Sequence, residues 1–214
     1  NHNINLSIFN KENAATTVAS TISIASKFQI RFFATGGIGG VHLNAENTND
    51  VSADLYALSE NSNFVICSGA KSILDLSKTN ELLETLGITR IGYQTNYMPG
   101  FWYEETENKV DNKFDEIHEI SSFLKLNENM GNKKSILIFN KVPLEKALNK
   151  NDVKKWINNA TIKADRNNIS GKELTPFLIK EINEQSKNET LNANVSLIIN
   201  NANLAGKIAK SFYS

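Results

Sequence analysis

A chain of 214 residues, 40% apolar and 21% charged, is long enough to bury the core of one domain without cross-links. Lys plus Arg and Asp plus Glu both total 23, and this zero net charge argues against recognition of nucleic acid through a basic face. The single cysteine, Cys67, excludes an internal disulfide and fits a reducing compartment, and no apolar run reaches membrane-spanning length. A cytoplasmic location with no membrane partner is therefore expected. The chain begins NHNINLSIFN, without Met or a signal pattern, so a processed chain or a fragment is expected.

In chain order, Ala14 to Phe28 carries apolar residues at helical spacing, with many small side chains suited to close packing on a sheet. FQIRFFA reads as a strand stopped by the glycines of ATGGIGGVH, Ala34 to His42. NTNDVSADLYALSE begins with a capping residue and continues as a helix. NFVICSGAK is a strand ending at Ser68-Gly69, SILDLSKTNELLETLG is one or two helices ending at Gly87, and ITRIGYQT is a short strand. From Asn96 to Asp111 the chain is an aromatic loop with a turn at Pro99-Gly100. A helix from Phe114 to Leu126, a buried strand KSILIFN and three further helices complete the chain, the last of them spanning NANVSLIINNANLAGKIAKSFYS. Alternating strands and helices predict a single α/β domain over residues 1–214, layered α/β/α around a mostly parallel sheet.

The motifs have two readings each. A strand running into a glycine-rich turn directs backbone N–H groups at an anion such as phosphate, with the Thr35 hydroxyl as a further donor; the same glycines also suit a tight turn with buried backbone. The spacing matches neither standard nucleotide fingerprint. His42 beside that turn is a structural hydrogen-bonder or a site residue. Asp54 is a helix-start carboxylate, or the one carboxylate that a hydrated divalent cation needs. Lys71 follows the C-terminal end of a buried strand, where open α/β sheets place ligands and where desolvation favours the neutral, nucleophilic amine; otherwise it is an exposed lysine at a helix start. Cys67 reads as a small core residue. Asn194 caps the last helix or reads a base edge with its donor and acceptor. Thr16 and Thr17 cap their helix or contact phosphate.

The segments TTVAST, FFATGGIGGVH, SADL, CSGAKSILDL, GYQT, GKELTPFL and LNANVSLIINNA, in this order, resemble the pseudouridine-5′-phosphate glycosidase (pseudouridylate synthase) family from about Ala14 to the C-terminus. The resemblance implies an α/β/α homotrimer that reversibly cleaves pseudouridine 5′-phosphate to uracil and ribose 5-phosphate with Mn²⁺ or another divalent cation. It implies Lys71 as the Schiff-base nucleophile and Asp54 as holder of the metal, largely through water. His42, Thr35, Gly36 and Gly37 would line the sugar-phosphate site, Thr17 and Ser52 would add phosphate or ribose contacts, and Asn194 would contact uracil. The residue types suit the chemistry: uracil leaves through carbon, so an amine bonded to C1′ of the opened ribose, able to form an imine, offers a route that oxocarbenium chemistry lacks.

Two departures from the family accompany these matches. Leu43-Asn44 stands where the family has Arg-Gly, which removes a basic group. NHNINLSIFNKEN matches poorly, and the long section that precedes TTVA in the family, with its proton-handling glutamate and a lysine, has no counterpart here. A second reading is accordingly a catalytically incomplete member that binds sugar phosphate or serves as an assembly subunit. A third, a generic nucleotide-binding module, lacks its fingerprints.

Overall fold

The computed structural model describes residues 4–214. The elements are α1 (Ile4–Asn10), α2 (Val18–Lys27), β1 (Phe32–Ala34), α3 (Ala45–Thr48), α4 (Ala53–Glu60), β2 (Phe64–Cys67), α5 (Leu76–Thr85), β3 (Thr89–Tyr93), β4 (Asn112–Phe114), α6 (Ile117–Asn129), β5 (Ile136–Phe139), α7 (Lys150–Arg166), α8 (Leu174–Gln185) and α9 (Glu189–Tyr213). Five strands form one sheet in the order β1-β2-β5-β3-β4, and every pairing in it is parallel. The layered α/β expectation therefore holds, with the sheet parallel throughout.

The central strands FVIC and ILIF are buried along their whole length, as strands covered on both faces must be. Because side chains alternate across a strand, each face has its own core. Val65, Cys67, Leu137 and Phe139 pack with Ile22 of α2, Leu55 and Leu58 of α4, Leu83 of α5 and Ile157 of α7. Phe64, Ile66, Ile136 and Ile138 pack with Ile120 and Leu124 of α6 and with Leu204, Ile208 and Phe212 of α9. The 25-residue α9 belongs to both cores: Ala193 and Leu197 sit in the first cluster, Leu204 to Phe212 in the second. Its passage takes it across the C-terminal ends of the strands, and at the crossing point stands Asn201, fully buried.

Several boundaries differ from the sequence reading. The second helix starts at Val18 because the Thr17 side chain accepts from Ser20 N–H and ends the extended stretch before it. The last helix starts at Glu189 with Asn188 as its cap, so Asn194 lies inside it and is not an N-cap. The edge strand β4 was not anticipated; NKF is short, mostly exposed and carries no alternation. It is held through Arg90, whose guanidinium is buried and donates to Asp111 Oδ1 at 2.6 Å and to Asn80 Oδ1 at 2.9 Å. The helix α1 falls in NHNINLSIFNKEN, whose first three residues lie outside those described. Among the described residues no helix is long and apolar enough to cross a membrane.

Burial in the core pushes the Cys67 thiol up from its ordinary 9.0 to about 12, against a smaller opposing effect of the Gly69 backbone. A raised folded value means that this contribution to stability is complete below pH 9.0 and is lost as pH rises toward 12. The native protein should accordingly leave Cys67 unlabelled by an aromatic disulfide reagent at about pH 8 and label it fully in denaturant. Rapid labelling of the native chain would contradict this burial.

Candidate functional site

The site is built where two post-strand segments run side by side. After β1 the chain continues Thr35-Gly36-Gly37-Ile38, and after β2 it continues Ser68-Gly69-Ala70-Lys71. Ladder-like bonds zip them together: Ser68 N–H to Gly36 O at 2.9 Å, Ile38 N–H to Gly69 O at 3.1 Å and Lys71 N–H to Ile38 O at 3.1 Å. Asp75 N–H then reaches Val41 O, and His42 bridges Leu74. Lys71 is thereby fixed at the carboxyl ends of the parallel strands, the place where open α/β sheets bind ligands.

A cavity of about 340 Å³ opens there. It gathers Thr17, Thr35, Gly36, Gly37, Lys71 and Asn194, six of the nine residues singled out in the sequence. Apolar walls come from Phe33, Ile73, Phe101, Trp102, Ile179 and Ile198. Lys71 is half-buried, and its amine has no hydrogen-bond or ion-pair partner among the described residues. The start of α2 supplies Thr16, Thr17 and Val18 to one side. Of its first N–H groups, that of Ala19 goes to Asp54 and that of Ser20 to Thr17, leaving Val18 N–H without an acceptor among the described residues. A helix start with a free N–H, two threonine hydroxyls and a nearby ammonium form an environment for an anion.

The glycines have a different immediate cause. A side chain at Gly37 would lie 2.7 Å from the Phe101 ring, and one at Gly39 would lie 2.8 Å from Asp54 Oδ2. The segment is glycine-rich because other parts of the protein press against it. Phe101, which presses on Gly37, has φ 67 and sits at the centre of a tight turn in which Trp102 N–H bonds Gly100 O at 2.9 Å. A bulky residue in the left-handed region is strained, and the turn is pinned by Phe101 N–H to Ser68 O and Ser72 Oγ to Gly100 O. Neither Phe101 nor Trp102 was singled out in the sequence. Three consecutive aromatics after Pro99-Gly100 were the available signal, since such a run cannot remain in water as an ordinary loop.

His42, Ser52 and Asp54 do not line this cavity. His42 is held by backbone bonds, with its Nδ1 3.8 Å from Asp50 Oδ2. Ser52 caps α4 by accepting from Asp54 N–H. Asp54 is buried behind the turn, its Oδ1 accepting from Ala19 N–H at 2.8 Å and its Oδ2 from Gly39 N–H at 2.7 Å. No group of three or more His, Cys, Asp or Glu able to hold a metal occurs among the described residues. This donor set makes no cage of protein ligands. It fits only a cation that keeps its water shell, held through the lone pairs that the two N–H bonds leave on the carboxylate. A second cavity, about 430 Å³, lies across the Lys71–Leu74 stretch and is lined by Ser72, Leu74, Tyr103 and Lys150. It contains none of the nine residues, and its Lys150 is already paired with Glu107.

Asp54 thus ties the start of α2 to the glycine turn. Replacing Asp54 by Ala should lower the unfolding free energy by about 3 kcal/mol or more, because two N–H groups lose a charged acceptor. Urea unfolding in the presence of EDTA checks it: a carboxylate whose sole duty is metal binding would show no change without metal.

The comparisons with known proteins agree with this geometry. The family described as Indigoidine synthase A like protein matches residues 1–211. The pseudouridine-5′-phosphate glycosidase of Petrotoga mobilis is 47% identical over 200 residues, covering 94% of this chain and 65% of the relative, and that of Escherichia coli is 41% identical over 201 residues, covering 94% and 64%. The chain thus spans about two thirds of the length of these curated relatives. A crystal structure of the prealnumycin C-glycosynthase AlnA in complex with ribulose 5-phosphate superposes with a TM-score of 0.93 at 31% identity, over 99% of this chain and 70% of that one. An indigoidine synthase A-like protein from Thermotoga maritima gives 0.89 at 34% identity, over 97% and 68%. With the family model matched over residues 1–211 and the two glycosidases 47% and 41% identical over 94% of it, the chain belongs to the indigoidine synthase A-like family, as do the pseudouridine-5′-phosphate glycosidases.

Proposed function

We propose that the protein to which this chain belongs is a C-glycosidase that reversibly cleaves pseudouridine 5′-phosphate to uracil and ribose 5-phosphate. The observation that carries the reading is Lys71: an unpaired, half-buried amine in a cavity that also presents an anion-binding helix start and an amide. The glycosidases among its relatives and the C-glycosynthase with its bound pentulose phosphate support the same substrate class.

In this reading the phosphate lies against Thr16, Thr17 and the free Val18 N–H, and Thr35 with Gly36 and Gly37 lines the sugar. The Lys71 amine attacks C1′, and the C1′–O4′ bond opens as O4′ takes the proton that the new C–N nitrogen gives up. The amine lone pair then forms C=N as the bond from C1′ to the uracil carbon breaks. That bond's electrons go to the uracil carbon, which takes a proton. Water hydrolyses the imine, releasing ribose 5-phosphate and restoring the amine. Lys71 is the only ionisable side chain among the described cavity residues, so the proton for the leaving carbon comes from outside this set; the glutamate that the family resemblance places in the section before TTVA would handle protons on the ribose. His42 and Ser52, just behind the turn, would act on the sugar only by way of it. Asp54 would hold Mn²⁺ or another divalent cation through water, and the cation would supply charge neutralisation near the phosphate. A cytoplasmic homotrimer completes this reading.

Among the described residues that line the cavity no acid or base accompanies Lys71, and the second reading is a member that binds sugar phosphate without turnover. A single experiment separates them. Full-length protein is mixed with ribose 5-phosphate and Mn²⁺, treated with borohydride and weighed intact, beside Lys71→Ala. The expected result is a reduced adduct on the parent that is absent from the variant, with uracil release from pseudouridine 5′-phosphate falling at least about 10³-fold in the variant. Ligand binding without adduct or turnover would establish the non-catalytic reading instead.

A further inference from the structure

Asn194 was read in sequence as an amide able to offer a ligand both a donor and an acceptor. The structure removes that freedom. The indole N–H of Trp102 lies 2.7 Å from Asn194 Oδ1. An indole nitrogen only donates, so the flipped amide would set N–H against N–H and lose this part-buried bond. Trp102 itself has no room to yield: it is 2% exposed, its ring packs 5.4 Å from that of Phe101, and its carbonyl accepts from Leu148 N–H at 2.8 Å. Asn194 sits inside α9, so its backbone is equally fixed. The consequence falls on the other half of the amide. Asn194 lines the cavity among the apolar side chains of Phe101, Ile179 and Ile198, and its Nδ2 has no partner among the described residues. Those two N–H donors open on the cavity, where an acceptor on whatever fills it satisfies them.

We propose that Trp102 is a positioning residue that fixes the hydrogen-bonding sense of Asn194, so that this end of the cavity offers donors alone and selects a carbonyl-type acceptor. The identity of the ligand rests on the glycosidase reading above. Uracil presents carbonyl oxygens as acceptors and ring N–H groups as donors. With the amide locked, Asn194 reads a carbonyl and rejects an amino group put in its place.

Two measurements on the full-length protein test this. The first is competition against uracil, in the direction of synthesis from ribose 5-phosphate, by cytosine and by isocytosine, each of which replaces one carbonyl by an amino group. The wild type should bind one of the two at least roughly tenfold more weakly than uracil, since a donor would meet a donor. Trp102→Phe should shrink that ratio several-fold, because the freed amide turns to accept; a purely structural residue would weaken uracil and its analogue alike. A ratio unchanged in Trp102→Phe overturns the proposal. Asn194→Asp keeps an acceptor for the indole and replaces the donors with oxygen, so it should invert the preference toward the amino analogue. It also keeps the test alive should Trp102→Phe not fold.

The second measurement needs no turnover: hydrogen exchange of the Trp102 indole N–H by NMR. Protection in the wild type and in Asn194→Asp, lost in Asn194→Ala, supports the lock. Equal exchange in wild type and Asn194→Ala overturns it. A wild type that forms no product from uracil and ribose 5-phosphate would defeat the proposed function, while this exchange experiment would still decide the lock.

Discussion

One buried amide, that of Asn201, holds the site end of the sheet together. Its Nδ2 donates to Thr35 O at 2.8 Å and to Ser68 Oγ at 3.1 Å, and its Oδ1 accepts from Asn140 Nδ2 at 3.0 Å. Those partners follow β1, β2 and β5, the three neighbouring strands, so a single side chain spans the ends of all of them. Parallel strands end in carbonyls and N–H groups that the next residue must satisfy, and in a dry setting each orphan costs about 1–3 kcal/mol. The network meets this cost at the place where α9 passes from one core to the other. It also sets the rotation of α9: Asn194, seven residues before Asn201 and so on the same face, is brought over the cavity, while Leu197 and Ile198 come down on Gly36.

The glycine segment shows how a motif is explained at two levels. In sequence it suggested a phosphate loop. In the structure the pressure on those backbone positions comes from Phe101, α9, Ser52, Asp54 and Thr79, all of them protein. The anion-binding features lie instead at the start of α2, which Asp54 ties to the turn. The turn and the helix start are parts of one device, in which a buried carboxylate ties the start of α2 to the glycine turn beside the cavity that Lys71 and Asn194 also line.

What was legible in the sequence follows from the range of the forces concerned. FVIC and ILIF announce buried strands by composition alone, and the position of Lys71 at a strand end follows from a rule about sheets. Thr17, Thr35, Gly36, Gly37 and Asn194 came with the ordered motifs and do converge. Asn44, where the resemblance leads one to expect glycine, has φ 64, and asparagine tolerates that region better than most residues with a side chain. The short strand β4 was not legible, because an edge strand of three residues has no period to detect. Nor was the Trp102–Asn194 bond, which joins residues 92 positions apart, nor Asn201, which in sequence is one asparagine among many. Such pairings depend on how a helix crosses a sheet, and local patterns carry no record of that.

The strained backbone at Phe101 gives the aromatic wall an all-or-none character. Holding a bulky residue at φ 67 costs on the order of 1–3 kcal/mol, comparable with any one of the bonds that pin the turn. With every bond in place the strain is outweighed; with one missing the balance is close to even. Phe101 packs against Gly37 and Trp102 holds Asn194, so both contacts stand or fall with the same three-residue turn. The turn works as a fuse: loosening at Ser72 or Leu148, neither of which lines the cavity, would unseat the wall as a whole instead of wearing it away by degrees.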